Sequence, residues 1–86
     1  MIEFRKLNKR GGGDVMNYDY NKLKGKIKEE FGTQGLFAKA LGMGVSTLNL
    51  KLNNKAEWTQ DEMRESLRLL KEPVGMIKDY FFTHEV

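Results

Sequence analysis

From Tyr20 onward the apolar residues recur at helical spacing, and every such run is short. Tyr20, Leu23, Ile27 and Phe31 step by three, four and four, which makes one stripe on one face of a helix. Gly32 stops that run, Gly42-Met43-Gly44 breaks the next, and Asn53-Asn54-Lys55 ends a third. Stripes this small cannot be buried alone, so the runs must pack on one another. The expected fold is all-α, with five short helices around one core and a helix-turn-helix among them. Phe82–Val86 can end as a short extended segment. A chain of 86 residues leaves room for one core only.

Local signals place the helices. Asn17 or Asp19 can cap the first. Thr33 caps a second over Gln34–Leu41, with Leu36, Phe37, Ala40 and Leu41 expected inward. A third runs over Val45–Leu52 with Leu48 and Leu52 inward. Thr59-Gln60-Asp61-Glu62 fits a capping box, and Trp58 and Met63 are placed for the hydrophobic staple around it. Met63, Ser66, Leu67 and Leu70 then form the inward stripe of the fourth helix. Pro73 suits the first turn of a fifth, whose stripe is Val74, Ile77, Tyr80 and Phe81.

The first stretch differs. Residues 1–17 lack helical periodicity and contain Gly11-Gly12-Gly13, so they read as a disordered arm before a helix-turn-helix domain over 18–86. Gly-Gly-Gly-Asp-Val ahead of Met16 is also what a purine-rich ribosome-binding site encodes in frame. Met16 is therefore the expected natural start.

Composition excludes more than it assigns. Without cysteine there is no disulfide framework and no thiolate zinc site. The one histidine, His84, stands near the end with no nucleophile-and-base arrangement and no ligand set around it. The chain is expected not to be an enzyme and to use no metal, cofactor or small-molecule ligand. No apolar run approaches the ~18–20 residues of a membrane helix, so no membrane role and a cytoplasmic location are expected. The glycine clusters lack the neighbours of dinucleotide and phosphate loops. The net charge of +3 is uneven: Tyr20–Lys55 carries +5 and Ala56–Val86 carries −3. A basic block suits a polyanion.

The most informative stretch is Gln34–Asn53. Gln34, Phe37, Ala38, Leu41, Gly42, Met43, Leu48 and Lys51-Leu52-Asn53 carry a recognisable pattern. It resembles the helix-turn-helix of phage repressors and Cro-type regulators, the lambda-repressor-like family. Ala38 must be small where two helices cross, and Gly42 supplies a left-handed turn. The resemblance implies a phage- or prophage-encoded transcriptional regulator in a bacterial host, binding a two-fold symmetric operator in double-stranded DNA. At about 100° per residue, Val45, Ser46, Asn49, Leu50 and Asn53 share the outward face of the third helix. In the family that face enters the major groove, which makes these five the expected base readers. Thr33, Gln34, Thr47, Lys51 and Lys55 are the expected phosphate contacts. A homodimer is expected through the fifth helix and tail, where Val74, Ile77, Tyr80, Phe81, Phe82 and Val86 offer apolar surface. The alternative is a protein-interaction module, such as an anti-repressor, an antitoxin or an inhibitor of a host protein. It would use the helix-turn-helix surface or the acidic fourth and fifth helices.

Overall fold

The computed structural model describes residues 17–84. Among them α1 spans Asn21–Phe31, α2 Gln34–Leu41, α3 Val45–Leu52 and α4 Gln60–Leu69. A 3-10 turn at Val74–Met76 then runs into α5, Ile77–Phe81. The fold is all-α, as the periodicity requires, and α2 and α3 have the expected bounds. The expected arm, apart from Asn17, lies outside the described residues, as do Met16 and Val86.

Polar side chains set the helix starts. The Thr33 hydroxyl accepts from the Leu36 N–H at 3.2 Å and opens α2. Gly42 closes it at φ 80°, where a side chain would be strained, and its N–H reaches the Ala38 and Lys39 carbonyls. At α4 the capping box is complete: the Glu62 N–H donates to Thr59 Oγ1 at 3.1 Å, and the Thr59 N–H to Glu62 Oε1 at 2.9 Å. At α1 it is Asp19 whose carboxylate accepts, from the Asn21 N–H at 2.8 Å.

The core gathers one stripe from each helix. Leu23, Ile27, Phe37, Leu48, Leu67, Leu70 and Phe81 are fully buried, with Tyr20, Trp58, Met63 and Tyr80 around them. Each large apolar side chain contributes about 1.5–3 kcal/mol by leaving water. Edge-on aromatic pairs lock the packing, Phe31 on Phe37 at 5.2 Å and Trp58 on Phe81 at 4.9 Å.

Two expectations fail locally, and the optional extended tail amounts to one bridge. In α2 the buried residues are Phe37 and Ala38, while Leu36 and Ala40 face out. Two turns of helix can point only a narrow strip inward, and the edge-on packing of Phe37 on Phe31 sets its direction. Val74 is 59% exposed, because the fifth stripe begins in a 3-10 turn of three residues per turn rather than 3.6. The tail forms no strand among the described residues, only a single antiparallel bridge between Tyr18 and His84, beside an Asp19 N–H to Thr83 carbonyl bond of 2.7 Å. On the other side of Tyr18, the Asn54 side-chain amide clasps its N–H at 3.0 Å and its carbonyl at 2.9 Å. The segment before α1 is thus held between the loop after α3 and the tail.

Candidate functional site

Two surfaces compete for function. The first is the outward face of α3. Val45, Ser46, Asn49, Leu50 and Asn53 are all exposed there, with Leu50 at 47% and Val45 at 45%. The Asn53 side-chain amide donates to the Asn49 carbonyl at 2.8 Å, so part of its hydrogen-bonding capacity is already used. Thr47 and Lys55 are exposed and Gln34 is half-buried. Thr33 is exposed, but its hydroxyl is engaged as the α2 cap.

Lys51 departs from this set and from its expected phosphate contact. It is 7% exposed, and its Nζ donates to the Glu57 carbonyl at 2.7 Å and pairs with Glu62 Oε1 at 3.0 Å. Beside the inward residues Leu48 and Leu52, its aliphatic stem packs while its ammonium finds partners. The result is a bolt between α3 and the start of α4. Burial raises the pKa of Glu62, but the Thr59 N–H and the Lys51 ammonium outweigh it and hold that carboxyl below its ordinary value.

The second surface lies around Trp58. One groove of about 450 Å³ is lined by Tyr18, Tyr20, Asn54, Glu57, Trp58 and Phe82, among others. A second, of about 520 Å³, is lined by Trp58, Gln60, Met63, Val74, Ile77 and Phe82 with Arg64. Trp58, Met63 and Phe82 line both, so the two grooves flank one aromatic wall. Phe82 stands 41% exposed on that wall, edge-on to Tyr18 at 5.6 Å. Trp58 Nε1–H is buried without a well-formed hydrogen bond among the described residues, with the Tyr20 ring beside the indole at 6.4 Å. Capping logic places Trp58 before α4 as a staple. Its role as a groove wall was missed, because that depends on where α5 and Phe82 come to rest.

Ion pairs fix the frame behind this surface. Lys26 Nζ meets Glu72 at 3.2 Å and Glu30 at 3.5 Å, and the Tyr80 hydroxyl donates to Glu72 at 3.1 Å. The hydrogen bond from Lys26 holds the Glu72 carboxyl below its ordinary pKa. On α4, Arg64 pairs with Asp61 and Arg68 with Glu65. Among the described residues no group of three acidic, histidine or cysteine side chains could hold a metal ion. None of their helices is long and apolar enough to cross a membrane.

The fold and these surfaces define a small helical protein with a helix-turn-helix hairpin and an aromatic wall flanked by two grooves. A family profile described as protein of unknown function (DUF739) matches residues 16–84, and the chain belongs to that family. No curated protein matches it. Among solved structures it is similar to the modulator of repression (MOR) of the temperate bacteriophage TP901-1 from Lactococcus lactis, at 45% identity and a TM-score of 0.68. That match covers 76% of this chain and 88% of the other. These findings overturn the resemblance to phage repressors and Cro-type regulators. Two short helices around a glycine turn fix a hairpin, and that spacing does not fix what the hairpin binds.

Proposed function

We propose that this chain is a phage regulatory protein that modulates repression by binding another protein through the grooves beside Trp58 and Phe82. The observation that supports it most is the aromatic wall with a groove on either side, in a chain 45% identical to a phage modulator of repression. Protein interfaces concentrate their energy in aromatic anchors and the pockets around them. Exposed Val74 and Phe82, with half-buried Ile77, supply the apolar centre such an interface needs. The partner is the repressor protein itself, since a modulator acting on repression needs access to the molecule that represses.

Operator reading by α3 is the weaker account. With Lys51 turned inward, Lys55 is the one lysine of the expected phosphate set left facing out. Cro-like binding needs several phosphate contacts, each steepening the salt dependence by about 0.9 in log–log slope.

A calorimetric titration of the full chain with the repressor of the same phage tests this. Val74→Asp and Phe82→Ala should each weaken binding by about thirtyfold, the effect of losing a hot-spot residue. Leu50→Ala should change it by roughly twofold or less, as expected outside the contact centre. The reverse order would move the site to α3. Self-association through Phe82, without repressor binding, would give the surface to a second copy of the chain and refute the proposal.

A further inference from the structure

We infer that Glu72 is a positioning residue for the groove that Val74 lines: it holds the Val74 rim in place, although it lines neither groove itself. This deepens the reading that the repressor binds beside Trp58, and only the affinity arm of its test rests on that reading.

The linker from α4 to the 3-10 turn has little apolar burial to hold it. Lys71, Pro73, Val74 and Gly75 are exposed, and Glu72 between them is half-buried. Lys71 turns the chain at φ 63°, in the left-handed region that side chains rarely adopt. Its N–H and that of Glu72 close α4, on the Arg68 carbonyl at 3.1 Å and the Leu67 carbonyl at 2.9 Å. Those bonds end the helix and leave the direction of the following residues open.

One carboxylate oxygen ties this linker to two other elements. Glu72 Oε2 lies 3.2 Å from Lys26 Nζ on α1 and accepts from the Tyr80 hydroxyl on α5 at 3.1 Å. The Lys26 and Glu72 side chains are each 19% exposed, so salt screens their pairing less than it would an open surface pair. Tyr80 is buried in the core and makes a fixed anchor. Glu30 stands 3.5 Å from the same Lys26 ammonium and 3.8 Å from that of Lys71, but Lys71 is highly exposed there and its pair adds little.

The position of Glu72 passes to Val74 through a stiff residue. The ring of Pro73 fixes its φ at −68°. The Pro73 carbonyl then accepts from the Met76 N–H at 2.9 Å and closes the 3-10 turn that carries Val74. Trp58 and Phe81 pack on each other without help from the linker. Releasing Glu72 therefore frees the Val74 rim and leaves the aromatic wall standing.

Two measurements on the full chain without partner test the inference. In Glu72→Ala, backbone order parameters at Val74 and Gly75 should fall from about 0.85 to below about 0.6, while those of α1 to α3 stay near 0.85. Trp58 is the only tryptophan, so its fluorescence reports the groove; acrylamide should quench it about twofold more strongly once the rim opens. Lys26→Met leaves the linker sequence intact and should give the same local loosening. Glu72→Gln keeps an acceptor for the Tyr80 hydroxyl and should give less. Unchanged order at Val74 in Glu72→Ala, no effect of Lys26→Met, or loosening spread through α1 to α3 would each overturn the proposal.

The affinity arm is a double-mutant cycle with the repressor. Glu72→Ala should weaken binding about tenfold, and Val74→Asp, worth about thirtyfold alone, should then cost about threefold or less more. Fully additive losses would show that Glu72 does not act through Val74. A repressor indifferent to Phe82→Ala would refute binding at the grooves and leave the order parameters and quenching to decide on Glu72, so the two readings fail separately.

Discussion

The Trp58 end and the α3 end both expose large apolar side chains, but they present them differently. At Trp58 the exposed Phe82 and Val74 border grooves and stand over a buried aromatic layer. At α3, Val45 and Leu50 stand on the outer face of a two-turn helix, with the nearest lysine withdrawn into the structure. An apolar residue beside a cleft can gain a partner that fills space on several sides. The same residue on a bare helix face needs the partner to bring the concave surface. The helix-turn-helix hairpin is therefore scaffold as much as site, and the grooved surface is built round Trp58 and Phe82, with Tyr18 joining from the segment before α1.

The contrast is sharpest between two adjacent phenylalanines. Phe81 is fully buried against Trp58, while Phe82 faces the grooves. Phe81→Ala should cost about 3–5 kcal/mol in chemical denaturation, as core phenylalanines do. Phe82→Ala should cost about 1 kcal/mol or less, as surface changes do. Equal costs would mean that Phe82 serves the core and that the grooves have no free wall.

Lys51→Met tests the α3 end. It removes hydrogen bonds to the Glu57 carbonyl and the Glu62 carboxylate, at a cost of about 2 kcal/mol. A melting point unchanged by this substitution would show that α3 is not bolted to α4. Thr59→Ala removes the α4 cap between the two ends and should cost about 1 kcal/mol, with repressor affinity intact in the folded fraction. A loss of affinity without a loss of stability would put Thr59 in the interface.

Acid gives the smallest effect. Glu62 and Glu72 both have carboxyls held below the ordinary value of 4.5. A carboxylate whose folded pKa is depressed stabilises the fold above its ordinary value and loses that stabilisation as pH falls through the folded one. Stability should therefore decline on acidification below about 4.5, and Glu62→Gln should flatten that decline. An unchanged acid limb in Glu62→Gln would remove the Lys51 pairing from the account.

Helix bounds were legible where a single polar group decides them. Thr33, Gly42 and the Thr59–Glu62 box act within four residues of chain, so the sequence holds all their information. Leu36 and Val74 were misplaced because their directions depend on tertiary packing at Phe31–Phe37 and on a 3-10 turn, neither visible in a 3.6-residue period. Lys51 was misread for a related reason: its partners lie beyond its own helix, Glu57 in the loop before α4 and Glu62 on α4. The outward set on α3 was legible, since one helix phase fixes all five residues. Of the expected apolar C-terminal surface, Val74 and Phe82 are exposed and Ile77 is half-buried, whereas Tyr80 and Phe81 are buried in the core, because α5 packs them inward; the grooves need Tyr18, Trp58 and Phe82 brought together from three parts of the chain.

The central claim is that the Trp58 end binds the repressor. Amide chemical shifts of the isotope-labelled full chain, recorded as the repressor is added, test it most directly. The account predicts that Tyr18, Trp58, Val74, Ile77 and Phe82 move most, while Val45–Asn53 moves little. Shifts concentrated on Val45, Asn49, Leu50 and Asn53, with Trp58 and Phe82 unmoved, would contradict it.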